Sequence, residues 1–131
     1  MIAGVVSTPK PTRSELAILR ILWERGPLSV RDVQSALSAS KPTGYTTALK
    51  LMQIMTEKGL VDRDDSVRPQ LYRPRQKQAQ TQKHLLRDFI DRAYGGSVKA
   101  LVMHALSNKK PSQKDLQELE ALLDRFEKED V

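Results

Sequence analysis

Thr43, Tyr45, Thr46, Thr47, Lys50 and Gln53 stand within one short stretch and together offer hydroxyls, a phenol, an ammonium and an amide. Placed on a helix at about 100° per residue, Ala48, Leu51, Met52 and Met55 gather on one arc, and the threonines, Lys50 and Gln53 on the opposite one. The apolar arc would anchor the helix on its neighbours. The polar arc suits the major groove of DNA: each threonine brings a hydroxyl and a thymine-compatible methyl, Gln53 has an amide able to pair with adenine, and Lys50 is a cation. Tyr45 falls between the arcs, either as a rim residue of the core or with its hydroxyl on a phosphate. A helix used only for protein interaction would show an apolar or acidic outer arc, and here Ile54 is the only sizeable apolar member of that arc.

A second cluster follows. Arg63, Arg68, Arg73 and Arg75 repeat one residue type within a short segment, and their spread fits phosphate contacts better than base reading. Asp64 and Asp65 between them oppose that field, and charge guarding an exposed strand edge is the competing account. Catalysis finds less support. His84 and His104 have no acidic pair at ligand spacing, and Asp115, Glu118, Glu120, Asp124 and Glu127 read as a solvated helix face. With no cysteine there is no disulfide, thiolate metal site or cysteine nucleophile, and neither a metal nor any other cofactor is expected.

The elements that would position these residues begin at Thr12, which with Glu15 reads as a capping box opening a helix that Gly26 stops. Ser29 caps a second helix from Val30 to about Ser38, and Thr43 or Gly44 opens a third that Gly59 ends. Leu60 to Arg63 and Leu71 to Arg75 then read as strands around a polar loop. Three helices and a hairpin in this order make a winged helix-turn-helix, whose third helix enters the major groove while the hairpin, the wing, lies along phosphates. A fourth helix with the stripe Leu85, Leu86, Phe89 and Ile90 runs to Gly95-Gly96, Ser97 caps a fifth containing Leu101, and Ser112 caps a sixth with Leu116, Leu119, Leu122, Leu123 and Phe126 on one face. These stripes exceed what so small a chain needs to cover itself and are expected to pair with a second copy. The fold is expected to be mainly α, with a tail over 1–11, a DNA-binding domain over 12–76 and a helical dimerisation domain over 77–131.

Charge sharpens the division. Residues 1–76 carry 12 Lys/Arg against 7 Asp/Glu, and residues 77–131 carry 10 against 9, so the net charge of +6 lies almost wholly in front. A basic front suits nucleic acid, and a more balanced rear suits protein. No apolar run approaches the roughly 18 residues of a membrane span, and no segment looks like a signal peptide, so a cytoplasmic place without direct membrane binding is expected. A small-ligand sensor is the nearest rival reading, and would need an apolar pocket between the two parts.

The blocks LAILRILWERGPLSVRDVQSAL, GYTTALKLMQIMTEKGLVDRD, LYRP and YGGSVKALV, in this order, resemble the penicillinase repressor family over about residues 12 to 126. The resemblance implies an N-terminal winged helix with a C-terminal three-helix dimerisation domain. It also implies Tyr45, Thr46, Thr47 and Lys50 as recognition-helix positions, and repression from palindromic promoters of genes for antibiotic resistance or metal handling. Copper-responsive members carry a cysteine-rich C-terminal motif that this chain lacks. Beta-lactam-responsive members are cut by a membrane metalloprotease at an Asn-Phe bond in the fifth helix. His104-Ala105, within the stretch Leu101 to Leu106, stands at that place here.

Overall fold

The computed structural model describes residues 10–129, so most of the expected tail over 1–11 lies outside the described residues. Helix α1, Arg13–Arg25, starts where Thr12 and Glu15 cap each other: the Glu15 N–H donates to Thr12 Oγ1 at 3.2 Å and the Thr12 N–H to Glu15 Oε1 at 2.8 Å. Two of the helix's orphan donors are thereby satisfied. Ser29 opens α2, Val30–Ser38, by accepting the Asp32 N–H at 3.2 Å. Helix α3, Tyr45–Lys58, starts at Gly44 and ends on Gly59, whose N–H meets the carbonyls of Met55 and Thr56. Gly59 has φ +80, and an added Cβ would stand 2.8 Å from Arg75 Nη1. Both the conformation and the close approach favour glycine.

Strands β1, Val61–Asp64, and β2, Leu71–Pro74, pair antiparallel, with Val61 opposite Pro74 and Asp64 opposite Leu71. Leu60, expected in the first strand, instead gives its N–H to the Met55 carbonyl at 2.9 Å as part of the α3 cap. Leu28, between α1 and α2, bridges Tyr72 through two backbone hydrogen bonds of 3.2 and 2.8 Å. The wing is thereby tied to the turn between α1 and α2.

One core gathers all three helices and the hairpin. Ile18, Leu19 and Leu22 of α1 pack with Val30 and Val33 of α2, Ala48, Met52 and Met55 of α3, and Leu60, Val61 and Tyr72. Each such large side chain contributes roughly 1.5–3 kcal/mol by leaving water. The arc expected of helix three is therefore the inward one, with Leu51 only partly buried. Trp23 packs on the edge of this core and donates its indole N–H to the Gln76 carbonyl at 3.0 Å.

Contacts divide the chain into two compact units, one through Leu86 and one from Arg87 on. Helix α4, Gln78–Tyr94, thus gives its first half to the winged-helix unit. In the second unit α4 stops at Gly95 and Gly96, both at positive φ, and the Gly96 N–H returns to the Ile90 carbonyl at 3.0 Å. Helix α5, Val98–Asn108, is capped by Ser97, and α6, Gln113–Glu129, starts after Ser112, which accepts the Asp115 N–H at 3.1 Å. The architecture is a mainly helical winged helix-turn-helix followed by further helices. None of the described helices is long and apolar enough to cross a membrane.

Candidate nucleic-acid interface

Helix α3 is fastened by one face and free on the other. Ala48, Met52 and Met55 are fully buried, whereas Thr46, Thr47, Lys50 and Gln53 are exposed. The alternation follows from helical geometry: residues three and four apart share a face, so fixing the apolar ones aims the polar ones outward. Thr43 differs from its neighbours. Its hydroxyl donates to the Lys41 carbonyl at 2.9 Å, its N–H donates to Ser38 Oγ, and its carbonyl accepts from Ser38 Oγ and Gln34 Nε2. That side chain is engaged inside the turn between α2 and α3.

Tyr45, at the start of α3, is 44% exposed, and the Arg31 guanidinium carbon lies 5.5 Å from its ring centroid. Arg31 was not singled out from the sequence, because a lone arginine in the first turn of a short helix carries no local signal. A groove of about 550 Å³ opens beside this pair, lined also by Leu49, Arg68, Gln70 and Tyr72. It joins the starts of α2 and α3 to the wing.

The wing arginines are not equivalent. Arg63 Nε meets Asp65 Oδ1 at 2.6 Å, Arg75 Nη2 meets Asp62 Oδ1 at 2.6 Å, and Arg73 Nη2 lies 3.8 Å from Asp64 Oδ2. The Asp65 carboxylate, then Tyr72, raises the Arg63 pKa above its ordinary value, and Asp62 does the same for Arg75. The Ser66 hydroxyl and N–H hold the Asp64 carboxyl below its usual range, with Arg73 adding a smaller pull. Arg68 instead donates to the carbonyls of Asp65 and Val67 at 3.1 and 3.4 Å, and no described carboxylate pairs with it. Of the four arginines, Arg68 alone keeps its charge uncompensated within the hairpin.

The C-terminal unit presents a different surface. Leu86, the last residue of the first unit, and Phe89 are half-exposed, and along α6 Leu116, Leu119, Leu122, Leu123 and Phe126 are exposed, Leu123 by 61%. Ile90 is only 8% exposed, so it is turned inward within its own chain, and Leu85 and Leu101 are partly buried. The Tyr94 hydroxyl lies 3.2 Å from His104 Nδ1, and the Tyr94 ring packs edge-on against both Phe89 and His104. The His104-Ala105 bond sits inside α5, a helix with no buried residue. Among the described residues no group of three or more His, Asp and Glu side chains could hold a metal ion.

The sequence model of the penicillinase repressor family matches residues 11–125. The penicillinase repressor of Bacillus licheniformis is 21% identical over 116 residues, 88% of this chain and 91% of that protein. The penicillinase repressor of Staphylococcus aureus is 22% identical over 115 residues, with the same shares covered. Among solved structures, the monomeric form of Bacillus licheniformis BlaI in complex with the blaP half-operator aligns at a TM-score of 0.49 and 18% identity, over 55% of this chain and 88% of that one.

Proposed function

The chain belongs to the penicillinase repressor family, and from that premise we propose that it is a transcriptional repressor which grips a palindromic DNA operator as a homodimer. The observation that carries the DNA reading is the exposed arc of Thr46, Thr47, Lys50 and Gln53 on a helix whose Ala48, Met52 and Met55 are buried on the other face. That arc offers donors, acceptors, methyls and one cation, the complement of base edges and phosphates in a major groove. Thr46, Thr47 and Gln53 discriminate sequence. Lys50 and Arg68 hold phosphate, with Arg63 and Arg73 contributing where DNA displaces their aspartate partners. Residues 12–76 form the DNA-binding part.

Residues 77–131 provide the second contact. Exposed leucines and phenylalanines on α4 and α6 form apolar faces of the kind that soluble chains bury against a partner. A two-fold dimer then presents one α3 to each half-site. Relief of repression follows from a cut in α5 between Leu101 and Leu106, made by a membrane-bound sensor metalloprotease during a beta-lactam or other cell-wall stress. The whole process is assigned to the cytoplasm.

Footprinting on the promoter of the protein's own gene tests the reading. The wild-type chain protects a two-fold symmetric stretch, and triple alanine replacement of Thr46, Thr47 and Lys50 abolishes that protection. Undiminished operator affinity in the triple variant would show that α3 is not the reader.

A further inference from the structure

Arg31 occupies an unusual place for a cation. It lies in the first turn of α2, where the partial positive charge of the helix end opposes it, and no described carboxylate pairs with it. Its charge is therefore not there to favour the helix end. Asp32, next in the chain, gives its N–H to the Ser29 cap and forms no ion pair with Arg31. What holds Arg31 is the Tyr45 ring, 5.5 Å from the guanidinium carbon, a separation within cation-π range. Both side chains are exposed, and both border the groove that Arg68 closes from the wing.

We propose that Arg31 is a contact for a DNA backbone phosphate, and that the Tyr45 ring, rather than its hydroxyl, acts by positioning the guanidinium for it. The proposal rests on the DNA-binding reading and extends it to a residue outside α3 and the wing. The chemistry is specific to a strand of phosphates. Arg31 and Arg68 flank one groove from the α2 side and the wing side, and a guanidinium held over a ring face keeps its donors free for an anion's oxygens. The ring contact also limits the side-chain motion that would otherwise be lost on binding. Asp32, which also lines the groove, opposes the positive field of the two arginines.

The test uses the full chain and a mixed-sequence duplex, because a phosphate contact is indifferent to base sequence. Arg31→Ala is expected to weaken binding about tenfold near 0.1 M salt and to make log affinity against log salt shallower by about 0.9, the slope of one released counterion site. Tyr45→Phe retains wild-type affinity and slope. Tyr45→Ala loses affinity, and Arg31→Ala with Tyr45→Ala loses no more than Arg31→Ala alone, since the ring acts through the arginine. Thermal melting of each variant checks that the fold is kept. Arg31→Ala with unchanged slope and affinity overturns the contact, and a Tyr45→Phe loss as large as that of Arg31→Ala overturns the role of the ring. A wild-type chain that binds no duplex overturns the DNA-binding reading itself, a result distinct from either.

Discussion

Lys58 Nζ donates to Glu15 Oε1 at 2.6 Å, joining the last turn of α3 to the first turn of α1. The Glu15 side chain is 3% exposed and that of Lys58 32%, so the pair sits at the margin of the core. Burial by itself raises the Glu15 pKa, but the Lys58 hydrogen bond, the Thr12 N–H, the Lys58 charge and the Thr12 hydroxyl together outweigh it, and the pKa is lowered. One carboxylate thus completes a helix cap and fixes the far end of the helix proposed to read DNA.

Replacing Glu15 with glutamine keeps a side chain able to cap Thr12 but removes the charge facing Lys58. A loss of about 1–2 kcal/mol is expected, measured by urea unfolding at neutral pH. Because folding lowers this pKa, the stabilisation is complete above the ordinary carboxylate range. It declines as pH falls below that range and is gone once pH passes the lowered pKa. The gap between wild type and Glu15→Gln should therefore close on acidification. A gap that stays constant with pH would remove the ion pair as its cause.

On the wing, Asp65 compensates Arg63 through a short ion pair. Asp65→Asn is expected to tighten binding to a mixed-sequence duplex about threefold at low salt and to steepen the salt dependence by up to about 0.9. By the same reasoning, Arg63→Ala should cost less affinity than Arg68→Ala. The opposite order in a fluorescence titration would show that DNA displaces Asp65 without penalty.

For the dimer, Phe89→Asp or Leu119→Glu should give monomers in sedimentation at micromolar concentration, because each puts a charge into an apolar face. Operator affinity should fall by about 100-fold as the second half-site ceases to be a linked one. A wild-type chain already monomeric at that concentration would reject this assembly.

Helix α5 spans the His104-Ala105 bond without interruption, so a protease must unwind it before cutting. Its lack of buried side chains keeps that opening inexpensive. Cells exposed to a beta-lactam should lose the intact chain, as seen with an antibody to it, while the target genes are expressed. Derepression with the full-length chain undiminished would point instead to a ligand-driven change.

Local signals made the element boundaries legible. Thr12 with Glu15, Ser29, Gly59 and the Gly95-Gly96 pair each act on the nearest turn of backbone, and the structure places helix ends at all of them. The buried and exposed arcs of α3 follow from periodicity alone. What stayed hidden depends on how elements cross. Lys58 reads as an ordinary helix-end cation until packing brings it to Glu15, and Arg31 meets Tyr45 only through the placement of α2 against α3. The wing's arginines and aspartates were visible as types, but cross-strand register decided that Arg73 faces Asp62 in the ladder while its guanidinium reaches toward Asp64. Leu28 gave no strand pattern, because a single bridge has no period.

Trp23 is the only tryptophan in the chain, and its indole N–H is held by the Gln76 carbonyl just before α4. The winged-helix unit therefore contains its own indole probe, and the C-terminal unit has no tryptophan. Emission excited selectively at the indole follows the loosening of the first unit and its junction, whereas far-ultraviolet dichroism sums over every helix. Coincident melting curves from the two would mean that the units unfold as one cooperative body. Separated curves would give each its own transition without a label or a truncation.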